Sequence, residues 1–163
     1  MGYEFNVEKI TEGAINWIRE WFEENGKNCK AVIGVSGGKD SLIVSKLCVE
    51  ALGADRVIGV MMPCGVQKDI SDSSRTCEYL GIKNYTINIK YTTASFIEDI
   101  ERNTDLLPNG AVHTNMPARV RMTTLYNVAA MIGGRVINTG NKSEAFVGYT
   151  TKYGDLAGDY AVM

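Results

Sequence analysis

The hydrophobic positions along the chain switch between a helical and a strand-like spacing. Apolar residues recur every three or four positions from Ile10 to Phe22, which predicts an amphipathic first helix that ends near Asn25 and Gly26. Short β-branched runs then alternate with further helical patterns. The predicted strands are residues 31–35, 56–62, 85–89 and 135–140, and the predicted later helices are residues 42–52, 69–80, 92–102 and 117–132.

This alternation indicates βαβ crossovers, which place successive strands parallel in one sheet. We therefore predict an α/β fold, an open doubly wound parallel sheet with helices on both faces, in a single domain over residues 1–163. Pro117 is predicted to open the last long helix, because proline is favoured in a helix's first turn. Residues 103–115 are predicted to be loop, and residues 141–163 to be loop with at most a short helix.

Composition and charge narrow the classes of function. The 17 basic and 19 acidic residues give a formal charge of −2, which disfavours a nucleic-acid partner. The apolar runs are shorter than the ~18 residues that a membrane span needs, and the N-terminus carries acids where a signal peptide is apolar, so we expect a cytoplasmic protein with no membrane partner. The cysteines form no C-x-x-C pair, and His113 is the only histidine, which disfavours zinc sites, redox dithiols and Ser-His-Asp hydrolysis.

The segment Ser-Gly-Gly-Lys-Asp-Ser at 36–41 joins the first predicted strand to its helix. Two glycines allow close backbone approach to an anion, and the helix amino terminus favours negative charge, so the turn fits a phosphate. The turn is not a Walker A loop, because Asp40 separates Lys39 from Ser41 and Ile33 stands at the first glycine position. Asp40 beside phosphates is a natural Mg²⁺ ligand, although capping of the helix is an alternative role.

Strand, SGGKDS and helix together resemble the PP-loop of the ATP pyrophosphatases. Three later segments resemble the ammonia-dependent NAD synthetases of that superfamily. Asn115–Met122 matches N-x-x-A-R-x-R-M, Asn138–Glu144 is similar to G-T-x-N-K-S-E, and Gly148–Asp155 with Asp159 matches G-Y-x-T-x-Y-G-D…D. The resemblance extends from about residue 33 to the end of the chain.

The resemblance implies an adenine nucleotide alpha hydrolase-like fold and a two-step ligase reaction. In this family the nicotinate carboxylate of deamido-NAD attacks the α-phosphorus of ATP, pyrophosphate leaves, and ammonia converts the acyl-adenylate into NAD and AMP. The expected cofactor is Mg²⁺ with ATP as co-substrate, and the expected assembly is a homodimer. Because no glutaminase domain accompanies the motifs, the expected nitrogen source is free ammonia or a separate glutaminase.

Matching positions carry over roles for individual residues. The implied ATP-binding residues are Gly34, Val35, Ser36, Gly37, Gly38, Lys39, Asp40, Ser41, Gln67, Arg121 and Thr139. The implied deamido-NAD residues are Asn115, Arg119, Lys152, Asp155 and Asp159, and the implied metal ligands are Asp40 and Glu144. Arg119 and Arg121 are two apart and point in different directions, so at least one of them can instead be structural. For Lys152, Asp155 and Asp159 the alternative is a solvated polar loop.

Two departures from the family pattern leave other interpretations open. The chain stops at Met163, where the family continues, so we expect a C-terminally truncated domain with weak or no activity alone. Residues 61–64 are more apolar than the family's loop, which leaves the adenine-side contacts open. The alternatives are another PP-loop enzyme, similar to GMP synthetase or to tRNA-modifying enzymes, and a catalytically silent nucleotide-binding module.

Overall fold

The structure is a computed structural model that describes residues 6–67 and 70–163. Its helices and strands alternate along most of the chain, as the periodicities predict. The elements are α1 Val7–Asn25, β1 Lys30–Gly34, α2 Lys39–Leu52, β2 Val57–Met61, α3 Ile70–Leu80, β3 Lys83–Thr86, α4 Lys90–Asn103, α5 Gly110–Ile132, β4 Gly134–Asn138, α6 Lys142–Val147 and β5 Tyr160–Ala161, with a 3₁₀ turn at Ala54–Arg56 before β2.

The strands form one parallel sheet in the order β3-β2-β1-β4-β5. The chain builds outward from β1 through β2 to β3, then crosses back to place β4 on the other side of β1. Ile33 is opposite Gly59 of β2 and Ile137 of β4, so the middle strand is paired along both edges. This topology confirms the predicted α/β fold and places a switch in strand order between β1 and β4.

Helices cover both faces of the sheet, as predicted. On one face Ile18 and Phe22 of α1 pack with Val44 of α2 and Cys77 of α3, and all four are at most 1% exposed. On the other face Val120 and other residues of α5 pack with the second set of strand side chains. No helix in the described part of the chain is both long and apolar enough to cross a membrane.

The predicted start of α5 was wrong. The helix begins at Gly110 and contains Pro117, because Asn109 supplies an N-cap whose side chain accepts the Val112 N–H at 3.2 Å. The proline therefore interrupts one helical hydrogen bond instead of opening the helix. Residues 110–115, predicted as loop, are helical.

Several other boundaries differ by one to three residues, and the end of the chain contains a strand that was not predicted. β3 ends at Thr86, three residues before the predicted end, although the Ile87 and Ile89 amides still donate to the Met61 and Pro63 carbonyls. Within residues 141–163, α6 agrees with the prediction of loop with at most a short helix, but the two-residue strand β5 was not predicted. Asp69, the predicted first residue of α3, lies outside the described residues.

Candidate functional site

The carboxyl ends of β2, β1 and β4 lie side by side at one edge of the sheet, because β1 pairs with both other strands. Three loops leave this edge: residues 35–38, 62–67 and 139–141. In open parallel sheets ligands bind at this edge, next to the switch in strand order. The SGGKDS turn and the later motifs are brought together here.

The turn between β1 and α2 is held by the serines that flank its glycines. The Ser36 amide donates to Ser41 Oγ at 3.3 Å, Ser41 Oγ donates to the Gly38 carbonyl at 3.0 Å, and the Gly38 amide donates to Ser36 Oγ at 3.2 Å. Gly38 is the N-cap of α2 and has no side chain to cap the helix. The first N–H groups of α2 are therefore available to an anion.

Gly37 is required by backbone conformation and by packing. Its φ is +84°, a region that residues with a Cβ rarely adopt. A Cβ at this position would also lie 3.1 Å from Asp72 Cβ and 3.2 Å from the Ser73 amide nitrogen of α3. The turn is thus fixed between α2 and α3.

Asp40 and Glu144 line one cleft of about 150 Å³, together with backbone and hydroxyl groups of the turns after β1 and β4. Asn141 connects the two carboxylates. Its Nδ2 donates to Asp40 Oδ2 at 3.4 Å, and its amide donates to Glu144 Oε2 at 2.9 Å within the capping box that begins α6. Lys39 Nζ also donates to both Asp40 oxygens, at 2.9 and 3.1 Å.

The cleft adjoins a larger cavity of about 290 Å³. Ser36, Thr139 and Asp155 line both spaces, so the two form neighbouring parts of one site. The larger cavity is mainly apolar. Its residues come from the strands, from the loops after β1, β2 and β4, from α3 and α5, and from the segment after α6. Its apolar lining includes Val35, Val60, Met62, Met122, Leu125 and Ile137.

Gln67 and Arg121, two of the predicted ATP contacts, lie on the wall of this larger cavity. Arg121 Nε donates to the Met62 carbonyl at 3.1 Å. One guanidinium nitrogen therefore fixes the loop after β2, while the side chain lines the cavity. The structural and the ligand-binding roles considered for this arginine are compatible.

The predicted deamido-NAD residues form a second group beside the cavity. Arg119 Nε donates to the Lys152 carbonyl at 3.2 Å, and Asn115 Oδ1 accepts from Thr151 Oγ1 at 2.9 Å. The Thr151 amide in turn donates to Asp155 Oδ1 at 2.7 Å. These contacts hold the segment after α6 against α5, although Asn115, Arg119 and Lys152 are outside the linings of the two cavities.

Asp159 is also outside both linings. Its Oδ2 accepts the Val136 N–H at 2.8 Å, and its own amide donates to the Val136 carbonyl at 2.8 Å, so the residue joins β5 to β4. Burial raises the pKa of the nearby Tyr126 hydroxyl, and the negative charge of Asp159 raises it further. Gly37 and Lys39 are the remaining predicted residues outside the linings.

Two asparagines at this edge were not among the predicted site residues. Asn138, only 6% exposed, donates to the Asp155 and Ala157 carbonyls at 3.1 and 3.3 Å and accepts the Gly140 amide at 2.7 Å. Asn141 links Asp40 to Glu144. For Asn141 a sequence signal existed, because Asn followed three residues later by Glu is a helix-start pattern. For Asn138 the contacts to Asp155 and Ala157 span 17 and 19 positions, which no local pattern predicts.

Comparisons with known proteins identify the family of the chain. The sequence profile of the NAD synthase family matches residues 10–163. An NH(3)-dependent NAD(+) synthetase of Pyrococcus horikoshii is 44% identical over 156 residues, which cover 96% of this chain and 57% of the Pyrococcus protein. The chain thus spans less than two thirds of the length of this curated relative.

Solved structures show the same fold. An NH3-dependent NAD synthetase from Campylobacter jejuni, in complex with the nitrate ion, superposes with a TM-score of 0.89 at 33% identity, over 98% of this chain and 68% of that one. A glutamine-dependent NAD+ synthetase from Acinetobacter baumannii, in complex with ADP, has a TM-score of 0.87 at 31% identity, over 100% of this chain and 31% of that one. From its motifs, its fold and these matches, the chain belongs to the NAD synthase family.

Proposed function

We propose that this chain carries the nucleotide site of an ammonia-dependent NAD synthetase, which amidates deamido-NAD at the expense of ATP. One observation supports the proposal above the others. Asp40 and Glu144, 104 positions apart by their numbers, line one cleft beside the free amino terminus of α2. The cleft adjoins an apolar cavity at the strand ends, where open α/β sheets bind their ligands.

The two neighbouring spaces suit the two halves of ATP. The smaller cleft, with the turn Ser36–Ser41 and the amino terminus of α2, suits the negatively charged phosphates. The larger cavity, with Val60, Met62 and Leu125, suits an adenine ring, and Gln67 supplies a polar contact at its wall. Ser36 and Thr139, which line both spaces, would then lie beside the α-phosphate, the point of attack.

The donor set in the smaller cleft fits Mg²⁺. Among residues 6–67 and 70–163, no three His, Cys, Asp or Glu side chains converge as a complete metal cage. Mg²⁺ in nucleotide sites is commonly held by one or two carboxylates together with phosphate oxygens and water, and Asp40 and Glu144 provide such a pair. Bound there, the ion would neutralise charge on the leaving pyrophosphate. Lys39 Nζ, which now neutralises Asp40, would then be free to bind a phosphate oxygen.

The deamido-NAD site is proposed for the segment that α5 shares with residues 151–155. Arg119 and Lys152 are exposed cations brought together by the Arg119 contact to the Lys152 carbonyl, which suits the substrate's phosphates. Asp155 lines both cavities and is the proposed contact for a ribose hydroxyl. Asp159, through its contact with Val136, holds β5 so that this segment stays in place. Its role as a direct ligand stays a prediction.

These residues can do the chemistry by positioning and charge. The substrate carboxylate attacks the α-phosphorus, pyrophosphate leaves, ammonia attacks the activated carbonyl, and AMP leaves. The turn's N–H groups and the cations stabilise negative charge on the transferring and leaving phosphates. This sequence of steps needs no nucleophile from the protein.

Calorimetric titration of ATP with Mg²⁺ tests the proposal. We expect Mg²⁺-dependent ATP binding that Asp40→Asn and Glu144→Gln each weaken by about tenfold or more, because contacts to charged groups contribute about 1.5–3 kcal/mol. Asp55→Asn, an exposed carboxylate at the opposite end of β2, is the matched control and should bind as wild type. Equal affinity with and without Mg²⁺, or equal behaviour of Asp40→Asn and Asp55→Asn, contradicts the phosphate and metal assignments.

Titration of deamido-NAD into the same protein tests the substrate. Binding of deamido-NAD that Arg119→Ala weakens is expected, whereas ATP binding without deamido-NAD binding would favour another PP-loop enzyme or a silent nucleotide-binding module.

A homodimer is also part of the proposal. Its support is the apolar groove between α4 and α5, where Phe96 and Met131 are 49% and 82% exposed. Light scattering should give twice the chain mass of 17.9 kDa, and a monomer mass contradicts the dimer.

A further inference from the structure

The loop after β2, residues 62–67, forms one wall of the larger cavity and is called the β2 loop below. It contributes Met62 and Gln67 to the lining. Gly65 has a φ of +85°, and Val66 is fully exposed, so the middle of the loop has little packing of its own. The position of Gln67 therefore depends on contacts from outside the β2 loop.

Asn88 supplies those contacts at the middle of the loop. Its Nδ2 donates to the Gly65 carbonyl at 3.2 Å, and its Oδ1 accepts the Gly65 amide at 3.1 Å. The same oxygen accepts the Lys90 amide at 3.0 Å, which fixes the side chain at the start of α4. One side chain thus joins both polar backbone groups of Gly65 to the segment between β3 and α4.

The neighbouring contacts hold only the first part of the loop. Arg121 Nε donates to the Met62 carbonyl, and the Ile89 amide donates to the Pro63 carbonyl at 2.9 Å. Among the described residues, the part of the loop after Pro63 is held by the contacts of Asn88 to Gly65, two positions before Gln67. Asparagine suits this place because its amide offers a donor and an acceptor at the same reach.

We propose that Asn88 is a positioning residue that sets the β2 loop, and through it Gln67, for the base half of the nucleotide. The inference rests on the proposed function, because it assigns the larger cavity to adenine. Asn88 does not line either cavity, so it acts through Gly65. The phosphate half of the site is formed by the turn after β1 and does not depend on this contact.

The experiment compares Asn88→Ala and Asn88→Asp with wild type. Asp keeps the two acceptor contacts, but it loses the donor and places a carboxylate oxygen against the Gly65 carbonyl oxygen, where the two acceptors repel. Asn84→Ala is the control, because among the described residues the side chain of Asn84 on β3 makes one weak contact, at 3.5 Å to the nearby Ile82 carbonyl. The measurements are amide hydrogen exchange at Gly65, thermal unfolding, and the affinities for ATP and for pyrophosphate in the presence of Mg²⁺.

For Asn88→Ala we expect faster exchange at Gly65, an ATP affinity lower by about three- to tenfold, and an unchanged pyrophosphate affinity. Asn88→Asp should also give faster exchange at Gly65 and a lower ATP affinity than wild type, because its second carboxylate oxygen repels the Gly65 carbonyl oxygen. The inference is overturned if hydrogen exchange and ATP affinity are the same in Asn88→Ala and Asn84→Ala. It is also overturned if the affinities for ATP and for pyrophosphate fall equally, which would indicate a general loss of structure. If wild type binds pyrophosphate but not ATP, the adenine assignment itself fails, and that outcome is distinct from a variant effect.

Discussion

The two walls of the nucleotide cleft are built in different ways. The first wall, residues 35–41, is held mostly by serine hydroxyl and amide contacts between residues at most five positions apart. Longer contacts join it to β2, through the Val35 amide and the Val60 carbonyl, and to the loop after β4, through Asn141 and Asp40. The second wall, residues 139–159, is held largely by contacts to α5 and β4, including those of Asn115, Arg119 and Asn138. The first wall is therefore mostly a local structure, whereas the second depends mostly on contacts with distant parts of the chain.

The largest effect on stability is expected when the side chain of Asn138, which anchors the second wall, is removed. Asn138→Ala deletes two donor contacts to that wall and leaves the Gly140 amide without its 2.7 Å acceptor. At a site that is 6% exposed, we expect a loss of about 2–4 kcal/mol in the free energy of unfolding. Urea unfolding measures the loss.

The control for Asn138 is Asn127→Ala. Asn127 is exposed on α5, and its Nδ2 donates only to the Thr123 carbonyl one turn away, so we expect a change within about 0.5 kcal/mol. Hydrogen exchange should also increase in the second wall and not in the first. A similar small loss for both variants would show that the second wall does not depend on this anchor.

A smaller effect on stability is expected in the first wall, where a glycine is replaced. Gly37→Ala forces an alanine to a φ of +84° and brings its Cβ within 3.1 Å of Asp72 Cβ, at a cost of about 1–2 kcal/mol. Gly38→Ala is the matched control, since Gly38 has a φ of −80° and its Cβ would meet only Ser36 Oγ, at 3.3 Å. Stability in urea should fall for Gly37→Ala and change little for Gly38→Ala. If both variants lose stability equally, the special conformation of Gly37 is not what shapes the turn.

The same distinction explains how far the sequence could predict the fold. The strands and helices before residue 103 followed from periodicities within short windows, and the parallel sheet followed from their alternation. The start of α5 was missed because two local signals compete, the Asn109 cap and Pro117, and the cap prevails. β5 has two residues, too few for any periodicity, and is defined by its pairing with Ile137 and Asn138 of β4.

The residues of the site also differ in how far the sequence predicts their positions. The lining by Ser36, Asp40 and Ser41 follows from a motif placed between a strand and a helix, so the sequence alone places it. That Arg119 contacts the Lys152 carbonyl, or that Asn138 holds the Asp155 carbonyl, depends on tertiary packing across 33 and 17 positions. Motif matching identified the segments but could not tell which of their groups face a ligand and which hold the backbone.

The smallest expected effect tests whether β5 supports the second wall through Tyr160. This side chain is 6% exposed and packs against Trp17 and Trp21 of α1 at ring-centroid distances of 5.1 and 4.7 Å, and within the described chain its hydroxyl has no hydrogen-bond partner. Burial raises the pKa of Tyr160 from 10.0 to about 12, and the nearby Cys48 and Glu20 add to the shift. Because the pKa is higher in the folded state than in the unfolded state, the contribution to stability is complete below pH 10 and is lost as the pH rises toward 12.

Wild-type stability in urea should therefore fall between pH 10 and 12, and Tyr160→Phe should flatten that fall, since phenylalanine has no proton to lose and buries no unpaired hydroxyl. Tyr126→Phe is the comparison: the pKa of Tyr126 is also raised by burial, but this side chain lies beside Asp159 on the α5 side of the sheet. Tyr126→Phe should reduce the loss of stability between pH 10 and 12 less than Tyr160→Phe does.

Hydrogen exchange at alkaline pH should show the second wall opening before the first, because Asp159, next to Tyr160, joins β5 to β4. Simultaneous opening of both walls would mean that β5 is not what distinguishes them.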